Sequence, residues 1–333
     1  MYFLREAQVR CFGSILHGPL GKQHFSFDRF TVPQHTGFVG IPTRTNILQR
    51  FKGKDLSSSR TTRELFARFF TEGSPAQTLC VSDFDGTFYA GLAPYYLRGI
   101  SNVELALFLW IMHIKSPTAF LPLSRELFAL KKQSRRIYTD IDQNSENLSA
   151  VEQPLIEAFS EKVLRRCDQQ LAEKAADLTS RFCHRDAIRT MNILQPYVGG
   201  VTFISKAFPM VLQNVRTLLK RKGIRVPVHC KGIVLKDSPW WQIDVKNSVL
   251  NRHDKKQALA EFAAEHPNYK RVIIFGDTED DISLNEKSIE LWGEQNVLFV
   301  CLYPKDSRVR EASSVTLKNW RSVQQLITEA TTA

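Results

Sequence analysis

Several things are scarce in this 333-residue chain, and each absence removes a class of function. The six cysteines are scattered, with no CxxC pair and no His/Cys cluster, so neither a disulfide framework nor a zinc site is indicated. Cys80, Cys230 and Cys301 lie in or beside apolar runs, as buried reduced thiols would in a cytosol-like compartment. No long uninterrupted apolar run occurs. The most apolar stretch, Val103 to Ile114, contains Glu104 and His113, is followed by Lys115 and Pro117, and is too short to span a bilayer. It reads as a buried helix. Repeats and low-complexity segments are absent. No apolar signal-peptide core follows the N-terminus, although the Arg-bearing, acid-poor start has the composition of an organellar transit segment. Acids are in deficit, and the net charge of +11 suits anionic partners or a solvated basic surface.

What is present is concentrated at the ends of three apolar runs. Leu79-Cys80-Val81 leads into Asp83-Phe84-Asp85-Gly86-Thr87. Side chains alternate along a strand, so Asp83 and Asp85 project together from its C-terminal end. Gly86 and Thr87 turn the chain and offer backbone N–H groups to an anion. Buried paired carboxylates need compensation, and a divalent cation with oxygen ligands is the simplest. One carboxylate is then available as a nucleophile. Val201 to Ile204 ends in Ser205, and Val272 to Phe275 ends in Gly276-Asp277-Thr278-Glu279-Asp280-Asp281. Lys255 and Lys256 lie between these last two runs. Each run is followed by a helical pattern, and an open parallel sheet binds ligands outside the carboxyl ends of its strands.

These motifs, in this order, resemble those of the haloacid dehalogenase-like superfamily. Asp83-x-Asp85-Gly86-Thr87 is similar to its first motif, Ser205 to its second, Lys255 or Lys256 to its third, and Gly276-Asp277-x-x-x-Asp281 to its fourth. The resemblance covers roughly Thr78 onward and is nearest to the phosphoserine-phosphatase-like branch. It implies an α/β fold with a doubly wound parallel-sheet core and a helical cap inserted after the first core strand. The expected limits are an N-terminal extension over 1–77, a core over 78–89 and 196–333, and a cap over 90–195.

The resemblance also implies roles. Asp83 would be the nucleophile and Asp85 the general acid/base; aspartate at the latter position marks the phosphatases of the family. Mg²⁺ would be held by Asp83, the backbone carbonyl of Asp85, Asp277 and Asp281, with Asp280 the competitor to Asp281. Ser205, Gly86 and Thr87 would bind the phosphoryl group. Lys255, better spaced to Leu259 than Lys256, would neutralise developing charge. The implied activity is a phosphomonoester hydrolase working through an aspartyl-phosphate on a small phosphorylated metabolite. A phosphorylated protein side chain, or a non-catalytic binding role, is the alternative. No nucleic-acid partner and no membrane span are expected, and the oligomeric state is open. Ser205 is followed by Lys206-Ala207-Phe208 rather than a small Gly-rich turn, which counts against phosphoserine itself as the substrate.

The rest of the pattern is helical near 62–70, 102–115, 123–138, 151–180, 184–194, 209–222, 254–264 and 320–330. A strand is expected at 296–303. Val226 to Leu235 and Trp240 to Val245 read as a hairpin, with Trp240 and Trp241 packing it. Lys206 and the basic run Lys131 to Arg136 read as solvated.

Overall fold

Six parallel strands form one sheet in the order β3-β2-β1-β4-β5-β6, the strand order of a doubly wound dinucleotide-type fold. The strands are β1 (Thr78–Ser82), β2 (Gly200–Ile204), β3 (Val228–Lys231), β4 (Arg271–Gly276), β5 (Val297–Leu302) and β6 (Val315–Leu317). The computed structural model describes residues 60–89, 169–236, 242–303 and 307–332, with Ala129, Glu157 and Glu161 as isolated helical positions. The helices at 102–115 and 123–138, the apolar stretch Val103 to Ile114, the Lys131 to Arg136 run and Trp240-Trp241 fall outside the described residues, apart from Ala129.

The strands are apolar at nearly every position because helices cover both faces, as a parallel sheet requires. Alternation sorts the side chains. Cys80, Phe203, Ile273, Phe275 and Val300 face one side. They pack there on α1 (Arg60–Thr71), α2 (Gln169–Ser180), α3 (Arg185–Leu194), α4 (Pro209–Arg221) and α8 (Trp320–Thr332). Leu79, Val81, Val272, Ile274 and Phe299 face the other side, where α5 (Arg252–Glu265) and α6 (Glu279–Trp292) contribute Leu259, Phe262 and Leu284. The short α7 (Ser307–Ala312) adds Val309 there. Helix α1 packs against α8, as does α3, and α2 packs against α4. Thus α2 and α3, which fall in the range expected for the cap, lie on core helices.

Within the described residues, most expected elements are found within a few residues of their predicted limits; of the helix expected at 151–180, residues 169–180 with Glu157 and Glu161 are described. The hairpin is the main departure. Residues 228–231 join the sheet as β3, paired in parallel with β2. Among the described residues, the antiparallel pairing is a bridge between Leu235 and Ile243, flanked by Lys236 N–H to Gln242 O at 2.7 Å and Asp244 N–H to Val234 O at 2.8 Å. Gly232 sits at the break. A Cβ there would lie 2.7 Å from Ala207 O, so the close approach of the two backbones requires glycine. Helix α7 and strand β6, of six and three residues, are too short to carry a readable period.

Candidate active site

The register places the motifs side by side. Ser82 at the end of β1 pairs with Phe203 of β2 and Phe275 of β4. The residues just beyond these strands are Asp83, Ser205 and Asp277, gathered at one edge where the strand order reverses. Asp83 continues the alternation of Leu79 and Val81, and so points to the α5 side. Its backbone N–H donates to Phe275 O at 2.9 Å, which fixes the start of the turn.

Carboxylate oxygens of Asp83, Asp277 and Asp281 all lie within 4.8 Å of one another, and all three residues are buried. Lys255 Nζ donates to Asp83 Oδ1 and to Asp281 Oδ1, each at 2.8 Å. This lysine is 2 % exposed. It reaches the site because α5 presents Lys255, Leu259 and Phe262 on one stripe to the sheet. The helix start is set by Asn251, whose side chain accepts from Asp254 N while Asp254 accepts from Asn251 N. Lys256 turns away and pairs with Glu286 at 2.6 Å. Lys255 is therefore the lysine that enters the acidic cluster.

Asp281 is the most constrained of the acids. Its Oδ2 accepts from Asp277 N at 2.9 Å, Thr278 N at 3.0 Å and Thr278 Oγ1 at 3.0 Å, while Oδ1 accepts from Lys255. It caps α6 with Thr278 and anchors the lysine in the same gesture. Asp280 points elsewhere and pairs with Lys206 at 2.5 Å. Lys206, expected to be solvated, is thus engaged. Burial works against the Asp280 charge, yet Lys206 and Lys255 hold its carboxyl below the usual range.

The Gly86-Thr87 turn does something other than expected. Gly86 N–H donates to Tyr89 O at 3.2 Å instead of facing an anion. The Thr87 hydroxyl donates to Asp277 Oδ1 at 2.9 Å, so it orients an acid. Its own carbonyl receives Trp320 Nε1–H at 3.0 Å. Gly86 has φ 85°, and a Cβ there would lie 2.7 Å from Asp277 Oδ2. Gly86→Ala is therefore expected to cost about 1–2 kcal/mol from the left-handed backbone alone. It should also displace Asp277. Thermal melting measures the cost; an alanine variant as stable as the native protein would contradict this reading of the turn.

Ser205 is 1 % exposed and its N–H donates to Lys231 O at 3.1 Å. Helix α4 begins at Pro209 with Phe208 at its N-cap, so Ser205 is not the cap of that helix. Asp85 is half-buried and bridges to Tyr89 through the backbone. Burial is the largest influence on Asp83 and pushes its carboxyl well above the usual carboxylate range; Lys255 opposes this, and Asp281 and Asp277 reinforce it. Burial also disfavours the Lys255 charge, but Asp281 and Asp83 outweigh it and hold the ammonium protonated. One lysine faces three clustered carboxylates, and the excess negative charge is what a divalent cation would balance.

Three residues of this arrangement carry no motif of their own: Thr278, Trp320 and Lys206. Thr278 with Asp281 has capping-box spacing, a signal that was there to be used. Trp320 and Lys206 meet their partners only through the fold.

No protein-family model and no curated protein sequence matches the chain. Among solved structures, cytosolic 5'-nucleotidase IIIB bound to cytidine matches with a TM-score of 0.53 at 13% identity, covering 81% of this chain and 90% of that one. A substrate-bound phosphoserine phosphatase complex has a TM-score of 0.48 at 15% identity, over 76% of this chain and 100% of that one. An unliganded probable phosphoserine phosphatase from Vibrio cholerae gives 0.48 at 12% identity, over 77% and 65%. The sheet and its flanking helices define an α/β protein of the doubly wound class. Within that class, the fold of the chain is similar to that of the 5'-nucleotidase. Among the described residues, no helix is long and apolar enough to cross a membrane.

Proposed function

We propose that this protein is a Mg²⁺-dependent phosphatase that hydrolyses a small phosphomonoester through an aspartyl-phosphate. The reading is carried by one observation: Asp83 sits at the end of β1 with its Oδ1 held by a buried lysine, inside a cluster of three carboxylates. Lys255 takes Oδ1 and leaves Oδ2 as the oxygen for attack. In the first step Oδ2 forms a bond to phosphorus and the ester P–O bond breaks. Asp85 gives its proton to the departing alkoxide. In the second step Asp85 takes a proton from water, the water oxygen bonds to phosphorus, and the acyl-phosphate bond breaks to release phosphate and restore Asp83. Lys255 would offset the charge on the phosphoryl oxygens, and Ser205 would donate a hydrogen bond to one of them.

The donor set fits a hard cation, since every candidate ligand is oxygen. Asp83, Asp277 and the carbonyl of Asp85 would hold it. Asp281, with Oδ2 occupied by α6 and Oδ1 by Lys255, would keep these ligands in place. When bound, the ion would screen charge on the phosphoryl group and orient it for in-line attack.

Phosphate release from a panel of small phosphomonoesters and a phosphopeptide, with Mg²⁺ and with excess chelator, tests the assignment. Release that needs Mg²⁺ is expected; no release from any substrate would remove it. The division of labour makes a finer prediction. Asp85→Asn should slow hydrolysis of an alkyl phosphate on the order of 10²–10⁴-fold. An activated aryl phosphate, whose leaving group needs little protonation, should suffer much less in the first step. Equal losses on both substrates, measured in single turnovers, would make Asp85 structural.

A further inference from the structure

At the opposite end of β4 lies a second cluster, remote from the acidic site. Arg271 is the first residue of β4, whereas Asp277 follows its last. Six residues at roughly 3.3 Å each set the two about 20 Å apart. Arg271 is 9 % exposed, and its Nη1 has no hydrogen-bond partner among the described residues. Its guanidinium carbon lies 4.4 Å from the centre of the Phe69 ring. The guanidinium also packs on Gly73, where a Cβ would overlap Nη1. A buried arginine without a hydrogen-bonded carboxylate is costly and rare.

This arginine lines a cleft of about 540 Å³ between the starts of β4 and β5, helices α1 and α6, and the segment after α7. The volume falls within the range of small-molecule sites. Arg68 stands on the same wall, exposed, one helical residue from Phe69. Ser314 Oγ accepts from Phe299 N at 3.1 Å and keeps its own O–H for another acceptor. Acids are present too, and their position matters. Glu294 and Glu311 are exposed on the rim, and Glu72, beside Arg68 at 4.0 Å, is exposed as well. Solvent screens all three. The deepest charge in the cleft is the positive one.

We infer that this cleft is a second ligand site, which binds a small molecule carrying a phosphate or similar tetrahedral oxyanion, with Arg271 at its base and Arg68 and Ser314 completing the cradle. A guanidinium fork matches two oxygens of such a group at once, and the remaining volume accepts the body of the molecule. The site is independent of the catalytic reading, because none of its residues belongs to the acidic cluster.

Hydrogen exchange with inorganic phosphate as the probe tests this on the full chain. Phosphate should protect peptides covering 65–73, 294–299 and 311–314, apart from any effect on peptides covering 83–89 and 277–281. Arg271→Lys keeps the charge but loses the fork, and should raise the half-saturating phosphate at the cleft peptides at least about tenfold. Arg68→Gln, on an exposed helix face, should raise it roughly threefold and carries the test alone if Arg271→Lys does not fold. The response at 83–89 and 277–281 should be unchanged in both. No phosphate-dependent protection at the cleft in the native protein, or the same half-saturation in every variant that folds, would overturn the site.

Discussion

Asp83→Asn is expected to abolish phosphate release while leaving the protein folded. The amide has the shape of the carboxylate but is a poor nucleophile, and the loss should be on the order of 10⁴-fold or more. Stability should move the other way. Burial and two neighbouring carboxylates raise the Asp83 carboxyl well above its usual range. A group raised in the folded state contributes stability that is full below its unfolded value, about 4, and is lost as pH rises through the folded one. In excess chelator at neutral pH, asparagine removes that loss, so the variant should melt at or above the native temperature. Its melting should also depend less on pH above about 4. Turnover within a few-fold of the native enzyme would strip Asp83 of its role. A melting temperature several degrees lower in chelator would mean that the carboxylate stabilises the fold.

The second large effect belongs to Lys255. Lys255→Met keeps the length of the side chain and removes its charge, leaving Asp83 and Asp281 without the ammonium that bridges them at 2.8 Å. Breaking a buried pair from one side costs about 3–5 kcal/mol. At roughly 2–4 °C per kcal/mol for a domain of this size, melting in chelator should fall by about 6–20 °C. Mg²⁺ should restore more of that loss than it adds to the native protein, because it takes over the charge that the ammonium balanced. Activity should drop by about 10²–10³-fold even with the metal present. Lys256→Met, which frees only a half-exposed pair with Glu286, should change stability by less than about 1 kcal/mol. If the two lysine variants behave alike, the assignment of Lys255 fails.

How far the sequence could be read depends on the range of the interaction. The acids at the ends of β1 and β4 were legible because strand alternation and strand-end placement are local rules. The choice between neighbours, Lys255 or Lys256 and Asp281 or Asp280, stayed open in the sequence; in the fold Lys255 shares a helical stripe with Leu259 and Phe262, and Asp281 with Leu284 and Ser288, all of them buried. Gly86 and Thr87 were legible as a turn, but the partner of the Thr87 hydroxyl was not, since Asp277 lies 190 positions on. Lys206 looked solvated because nothing nearby in sequence could pair with it; β2 and β4 flank β1, and Asp280 reaches it from the far side. The hairpin reading held at Leu235 and Ile243 and was lost over 228–231 to a tertiary choice. Residues 228–231 can pair with a following segment or with β2, and only the assembled sheet offers the second option.

The bond from Trp320 to the Thr87 carbonyl has a consequence for synthesis. Its two ends are 233 positions apart, and the indole is fully buried against Phe88 and Phe275. The first motif leaves the ribosome long before the helix that secures its turn. At about 5–20 residues per second, the interval is roughly 12–47 s. For most of that time β1 also lacks β4, and Asp83 lacks Lys255 and Asp277 beside it. The turn that carries Thr87 therefore keeps an unpartnered carbonyl at this bond until the helix bearing Trp320 has docked.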